Sequence, residues 1–279
     1  MEQSPTSSPT HCLNCGTPVT GEFCHQCGQR TRDNSDRSVR RLLGEVLGNI
    51  FFLDNRFFIS VGYLFRFPGR MTIEFLGGKR KKFISPITLF LFLNLIYFFN
   101  KPLSDYSLPL EDQIDGQPHS IWAKKALIKK LRKESLDYET YAPIYQNATD
   151  NVSKSIMIIN IPIIAAFLYL MAFKRRPFYF DSLIFSFHYF TLYLFSWVML
   201  GWADDLLFFL GLSDTIVDSI RFNLFVSIVP LIYGILSIKK FMDIRWYWAI
   251  PAGVVTVVSV LLANAVYRMI IFYLTLWTT

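Results

Sequence analysis

The chain is poor in the groups that do chemistry. It has four histidines and four cysteines in 279 residues. It contains no Ser–His–Asp set, no H-E-x-x-H pattern, no phosphate-cradling glycine loop and no paired carboxylates inside its apolar stretches. Those absences exclude the commoner hydrolase, metalloprotease and nucleotide-dependent classes, and no enzymatic activity is expected. No secretory leader is expected either. Met1 to Pro9 is polar and rich in Ser, Thr and Pro, with no apolar core, so insertion is expected to rely on the first membrane helix itself. The basic residues before position 83 are dispersed and fit no DNA-binding motif, so nucleic acid is not an expected partner.

What the chain has in quantity is apolar and aromatic: 52% hydrophobic, 17% aromatic and 27 Phe, gathered in long blocks. That composition defines an all-α polytopic membrane protein. A helix rises about 1.5 Å per residue, so roughly 20 apolar residues cross a bilayer core of about 30 Å. Five candidate spans follow: Ile84 to Asn100, Ile156 to Phe173, Leu183 to Trp202, Phe222 to Ile238, and one from Trp246–Ala249 past Tyr267. The last is awkward. Trp246 to Trp277 as one helix is roughly 48 Å, too long for one crossing. It either projects beyond the bilayer or stops near Arg268.

Charge sets the orientation. Residues 30–82 carry 12 basic and 5 acidic side chains, against none and 2 in residues 1–29 and 16 and 14 in residues 83–279. The excess sits just before the first apolar run and ends in Lys79-Arg80-Lys81-Lys82. Such clusters stay in the cytoplasm, and they also attract anionic lipid. Lys174-Arg175-Arg176 and Lys239-Lys240 with Arg245 make two further positive loops, and Asp204, Asp205, Asp214 and Asp218 make an acidic one. Alternation of these loops gives a cytoplasmic N-terminus and an external C-terminus. Residues 101–154 then form an external loop, amphipathic at its centre. Ala123, Leu127, Ile128 and Leu131 share one arc and Lys125, Lys129, Lys130, Arg132 and Lys133 the other, as for a cap resting on the outer leaflet.

All four cysteines fall in one short window as Cys12-x-x-Cys15 and Cys24-x-x-Cys27, with Gly16 and Gly28 after the second cysteine of each pair. This is zinc-ribbon spacing. Two such turns offer four thiolates to one tetrahedral Zn²⁺, and glycine permits the tight turn that aims N–H groups at sulfur. Disulfides would need an oxidising compartment, and a redox C-x-x-C would come with a βαβ pattern. His11 and His25 are spare, because the Cys₄ set is complete without them. A closed site leaves no open coordination position, so the metal is structural. So small a ribbon has little core, and metal binding would supply its folding energy.

The organisation expected is therefore a ribbon over 1–29, a basic linker with interfacial amphipathic helices over 30–82, and a transmembrane bundle over 83–279. From Leu42 to Phe67 the apolar residues are interrupted by Glu45, Asp54, Arg56 and Arg66. That pattern suits a helix in the headgroup layer or one packed against the bundle.

The order of parts resembles a family of bacterial inner-membrane proteins known only as a domain of unknown function with an N-terminal zinc ribbon. The matching residues are Cys12, Cys15, Cys24, Cys27, then Pro68, Gly69, Glu74, Gly78, Lys79, Arg80, Lys81, Lys82, Phe83 and Pro86. Ile73 and Phe75 depart from the aromatic and tyrosine usual around the acidic position. The resemblance covers the first hundred residues and implies a bacterial inner membrane; it supplies no activity.

Few polar residues lie within the apolar runs: Asn94, Asn160, His188, Asn223 and Asn264. The asparagines are expected to link helices, and His188 is either a hydrogen-bonded histidine between helices or a relay. Pro162, Pro230 and Pro251 begin or kink helices, as in some transporters, although no inverted repeat is visible. The expected function is a non-enzymatic adaptor or sensor that recruits a protein partner through the cytoplasmic ribbon. A small-solute or lipid transporter is the alternative.

Overall fold

The computed structural model describes residues 11–31, 55–100, 107–172, 174–176, 178–211 and 228–279. Among them the chain is helical apart from two isolated β-bridges in the ribbon. The helices are α1 (Asn55–Arg66), α2 (Arg70–Leu76), α3 (Pro86–Asn100), α4 (Leu110–Asp115), α5 (Ser120–Glu134), α6 (Tyr138–Ile156), α7 (Asn160–Ala172), α8 (Tyr179–Phe209), α9 (Val229–Met242) and α10 (Trp246–Thr278).

The bundle is built around α8. Its sequence is apolar on every side, and such a helix is stable only where neighbours cover every side. Of its most apolar stretch 89% is buried, against 33% for α10, so α8 is central and α10 peripheral. Aromatic side chains do much of the covering. Phe90 on α3 meets Phe187 and Phe190 at 6.0 and 6.1 Å, and Phe241 on α9 meets Phe185 at 4.7 Å. Hydroxyls tie the same helix to its neighbours: Tyr189 donates to the Pro230 carbonyl and Tyr179 to the Pro162 carbonyl, each at 2.9 Å.

Among the described residues two helices, Tyr179–Leu207 and Trp246–Thr278, are long and apolar enough to cross a membrane. A third is added if Tyr138–Ser153 and Met157–Ala172 count as one span despite a 60° bend between them. Helix α3 is apolar but has 15 residues, about 22 Å at the usual rise. It starts at Pro86, not Ile84. The fourth expected span is seen from Val229 onwards; residues 222–227, with Asn223, lie outside the described residues. So do Asp214 and Asp218 of the acidic loop, and residues 42–54 of the amphipathic stretch. At the bend, Asn160 donates to the Met157 carbonyl at 3.1 Å. It therefore braces its own segment, where the sequence reading had it linking helices.

One end of the bundle gathers the basic loops. Arg176 donates to the Phe241 carbonyl at 2.8 Å and Arg175 to the Asp243 carbonyl at 3.1 Å, so the loop after α7 caps the C-terminus of α9. Cations placed there satisfy the helix's last carbonyls and its dipole.

The other end resolves the length of α10. It runs unbroken to Thr278, about 50 Å, and its last turns are clad by the 107–156 segment. Tyr267 donates to the Ser153 carbonyl at 3.1 Å, Thr149 to Thr275 at 3.2 Å, and Tyr141 pairs with Thr279 at 2.6 Å. Leu110, Ala123, Leu127, Tyr141 and Tyr145 bury themselves around Phe272. Ala123 and Leu127 thus face this small core, whereas Ile128, placed on their arc by the sequence, is 48% exposed.

Candidate metal centre and its seat on the basic loop

The ribbon consists of the same hairpin built twice. Cys12 N–H donates to the Thr17 carbonyl at 2.8 Å and Gly16 N–H to the Cys12 carbonyl at 2.7 Å. Twelve residues on, Cys24 N–H donates to Gln29 and Gly28 N–H to Cys24, each at 2.8 Å. Antiparallel bridges close each hairpin, His11 to Pro18 and Phe23 to Arg30. Gly16 and Gly28 have φ of 79° and 67°, a region that only glycine enters freely. Thr31 still belongs to this unit, since its N–H and hydroxyl bond the Glu22 and Gly21 carbonyls at 2.8 and 2.9 Å.

The two hairpins bring the four sulfurs together. All lie within 4.8 Å of one another, with Cys12–Cys27 and Cys15–Cys24 at 3.6 Å. Sulfurs 2.3 Å from a tetrahedral zinc stand about 3.8 Å apart, so this donor set fits one such ion. The cysteines are free, and His11 and His25 are not in the cluster. The Thr17 hydroxyl, at 3.4 Å, and the Thr17 N–H favour the thiolate of Cys15 and draw its pKa down to about 6. Burial pushes Cys27 up to about 12, against a hydrogen bond from the Gln29 N–H. Each hairpin thus offers an N–H to its second sulfur, which is how such turns hold thiolates beside a cation.

Two residues of these hairpins seat the ribbon on the rest of the chain. Asn14, between the first two cysteines, accepts the Lys82 N–H through Oδ1 at 3.1 Å. Gln29, buried at 2% exposure, donates from Nε2 to the Gly78 carbonyl at 2.7 Å. Its Oε1 accepts the N–H groups of Arg80 and Lys81, each at 3.3 Å. One amide therefore bonds an acceptor and two donors of an irregular loop, in which the Arg80 N–H also donates to the Gly78 carbonyl at 2.9 Å. The Lys-Arg-Lys-Lys stretch, read from sequence as a topology signal, is also the ribbon's seat, and it serves through its main chain.

A salt-bridge cluster supports that loop from below. Glu74, with its side chain 10% exposed, takes Arg70 at 2.8 Å on one oxygen and Lys82 at 2.7 Å and Lys79 at 3.6 Å on the other. Lys82 also donates to the Tyr63 hydroxyl at 2.7 Å and lies 4.1 Å from the centre of that ring. Burial works against the Glu74 carboxylate, yet hydrogen bonds from Lys82 and Arg70 and the nearby charges hold its pKa below the ordinary value. Burial likewise opposes the Lys82 ammonium, and Glu74 and Tyr63 outweigh it, raising its pKa.

Pro68 and Gly69 turn the chain between α1 and α2 hard against α9. Gly69 has φ of 72°, and a Cβ there would lie 2.6 Å from the Ser237 carbonyl oxygen. Beside it the Tyr233 hydroxyl donates to the Leu64 carbonyl at 2.8 Å. Helix α2 then reaches His188, whose Nδ1 is 2.8 Å from the Thr72 hydroxyl. Phe75 stands edge-on to the imidazole at 6.4 Å, and Nε2 is buried with no hydrogen-bond partner among the described residues.

The residues beneath the ribbon are also those with recognisable relatives. A family model described as "Protein of unknown function (DUF3667)" matches residues 54–98, from the start of α1 almost to the end of α3. Over that stretch the chain is similar to the family; the cysteines lie outside it. No curated protein and no solved structure matches the chain. Several of the positions that carried the resemblance inside that range have a structural role. Gly69 admits α9, Glu74 gathers Arg70, Lys79 and Lys82, and Gly78 to Lys82 receive the ribbon. Asn14, Gln29 and Tyr63 were not singled out from the sequence, because a polar residue beside a metal knuckle reads as ordinary surface.

Proposed function

We propose that the chain is a non-enzymatic, zinc-binding membrane adaptor whose ribbon is mechanically joined to its bundle. The supporting observation is the Asn14 and Gln29 seat. A partner held by the ribbon pulls directly on the loop that opens α3, and through Lys82 on the Glu74 cluster. The exposed side of the ribbon, with Phe23, His25 and Gln26 outward, is the recruiting face. In this reading Cys12, Cys15, Cys24 and Cys27 hold one structural Zn²⁺, and the segment over 30–82 rests on anionic lipid. Five spans place the N-terminus in the cytoplasm and the C-terminus outside a bacterial inner membrane.

The test is co-purification from membranes, comparing wild type with the protein in which all four cysteines are Ser. A partner recovered only with the intact ribbon supports the adaptor. Equal recovery with both proteins removes the ribbon's role.

His188 favours a second reading, a small-solute or lipid transporter, because a histidine at membrane depth whose Nε2 has no partner among the described residues is the kind of group a translocation path uses. Removal of residues 1–40 distinguishes the two: a transporter keeps its flux and an adaptor loses its partner.

A further inference from the structure

The seam between Pro68 and the α9–α10 turn opens into a cleft of about 420 Å³, lined by Pro68, Leu236, Lys239, Lys240, Asp243 and Trp246. Its floor is fixed, since Gly69 abuts the Ser237 backbone and Arg175 and Arg176 hold the last carbonyls of α9. Two ammonium groups line it. Lys239 stands 4.8 Å over the Trp246 ring, which positions the amine and leaves its remaining N–H bonds for a ligand. Among the described residues neither Lys239 nor Lys240 has a carboxylate partner within ion-pair distance, and Asp243, though on the lining, pairs with neither. Two cations that no carboxylate pairs, set against the single charge of Asp243 in one concave site, point to an anion from outside.

The surroundings say which kind. Val229, Ile232 and Leu236 are all exposed and, with Lys240, follow one another at helical spacing along α9, so an apolar stripe ends at the ammonium group. On the other wall, Trp246, Ile250 and Val254 make a matching exposed stripe along α10, headed by the exposed aromatics Tyr247 and Trp248. Trp and Tyr collect at the headgroup level of a bilayer. A ligand carrying one phosphate over a pair of apolar tracks is an anionic phospholipid, its headgroup in the cleft and its chains along α9 and α10.

We propose that this cleft is a binding site for the phosphodiester of an anionic lipid, distinct from the basic side chains of segment 30–82. It rests on α9 and α10 lying in the membrane, and not on the adaptor reading. The phosphate chemistry is shared with free inorganic phosphate, so the test separates the two sources. Full-length protein in neutral detergent is titrated with phosphatidylglycerol, phosphatidylcholine and inorganic phosphate, and bound ligand is counted by native mass spectrometry. Wild type should retain phosphatidylglycerol at least about tenfold better than phosphatidylcholine, and the Lys239→Gln/Lys240→Gln protein should lose most of that preference. Lys129→Gln/Lys133→Gln on α5, which removes the same charge elsewhere, should keep it. Equal preference in wild type and Lys239→Gln/Lys240→Gln overturns the site, as does equal loss in both double variants. Retention of inorganic phosphate alone, displaced by no lipid, overturns the lipid assignment. If neither phosphatidylglycerol nor phosphatidylcholine associates with wild type, the membrane placement of α9 and α10 falls, a result distinct from loss of selectivity.

Discussion

The Gln29 side chain and the Gly78 carbonyl, 49 positions apart in the chain, meet at 2.7 Å in a buried contact. Gln29 is two residues past the last cysteine, and Gly78 is immediately before the basic cluster. The cysteine hairpins and the approach to α3 are thereby joined, and the order of the loop is expected to depend on the fold of the hairpins.

Gln29→Ala tests this directly. It removes the bond to the Lys81 N–H and one of the two bonds each made by the Gly78 carbonyl and the Arg80 N–H, which also bond each other at 2.9 Å, at a cost of about 1–3 kcal/mol to the seat. The cysteines and their hairpins are untouched, so metal content should match wild type. Trypsin cleavage after Lys79 to Lys82, followed in membranes, should become several times faster. An unchanged cleavage rate would mean that the seat contributes nothing to the order of the loop.

Metal removal should have a larger effect through the same contacts. The ribbon has few apolar residues beyond Cys12 and Cys24 in its interior, and such a unit folds on its ion. A chelator should release one equivalent of metal and raise hydrogen exchange at Arg80, Lys81 and Lys82 together. Helicity by circular dichroism should hardly change, since α1 to α10 lie outside the ribbon. Exchange that rises in the ribbon but not at these three amides would separate the two units.

Much of this was legible in the sequence, and the reasons for the rest are physical. The C-x-x-C spacing determines which atoms converge, so the Cys₄ cluster is readable at once. Apolar blocks likewise mark α8 and α10, because covering by protein or by lipid demands the same composition. That equivalence also sets the limit: periodicity does not reveal that α8 is sheathed by neighbours while α10 is open on one flank. Nor does it set lengths, and α3 and α7 are shorter than their apolar runs. Side-chain amides at Asn14 and Gln29 were silent because their partners are backbone groups far along the chain. The end of α10 was ambiguous for the same reason: its last turns are packed by Tyr141, Tyr145 and Thr149 from another segment.

Gly69→Ala should damage the bundle and leave the ribbon alone. The new methyl would lie 2.6 Å from the Ser237 oxygen, which is backbone and cannot swing away, on a residue with φ of 72°. Positive φ costs a non-glycine residue about 1–2 kcal/mol, and forced overpacking about 1–3 kcal/mol more. Thermal unfolding in detergent should fall by several degrees, whereas Gly21→Ala, where nothing lies within 4 Å, should be neutral. A Gly69→Ala protein as stable as wild type would show that α1–α2 and α9 separate readily.

The contact between the 107–156 segment and α10 should weaken in acid, and His119 is the reason. Its ring is 3% exposed, 3.1 Å from Gln113 and 5.9 Å from Phe272, with Arg268 held by Gln117 alongside. Burial, and then the charge of Arg268, lower its pKa in the folded protein. An unfolded histidine titrates near 6.5, so between that value and the lower folded one the detached segment binds a proton that the docked segment refuses. The contribution to docking is therefore complete above about pH 6.5 and declines as pH falls below it. Hydrogen exchange of α4 to α6, corrected for intrinsic rates, should rise between pH 7.5 and pH 5.5 in wild type. His119→Asn, neutral throughout, should remove that pH dependence even if it weakens docking at every pH. A pH dependence that survives the substitution would assign it to another group.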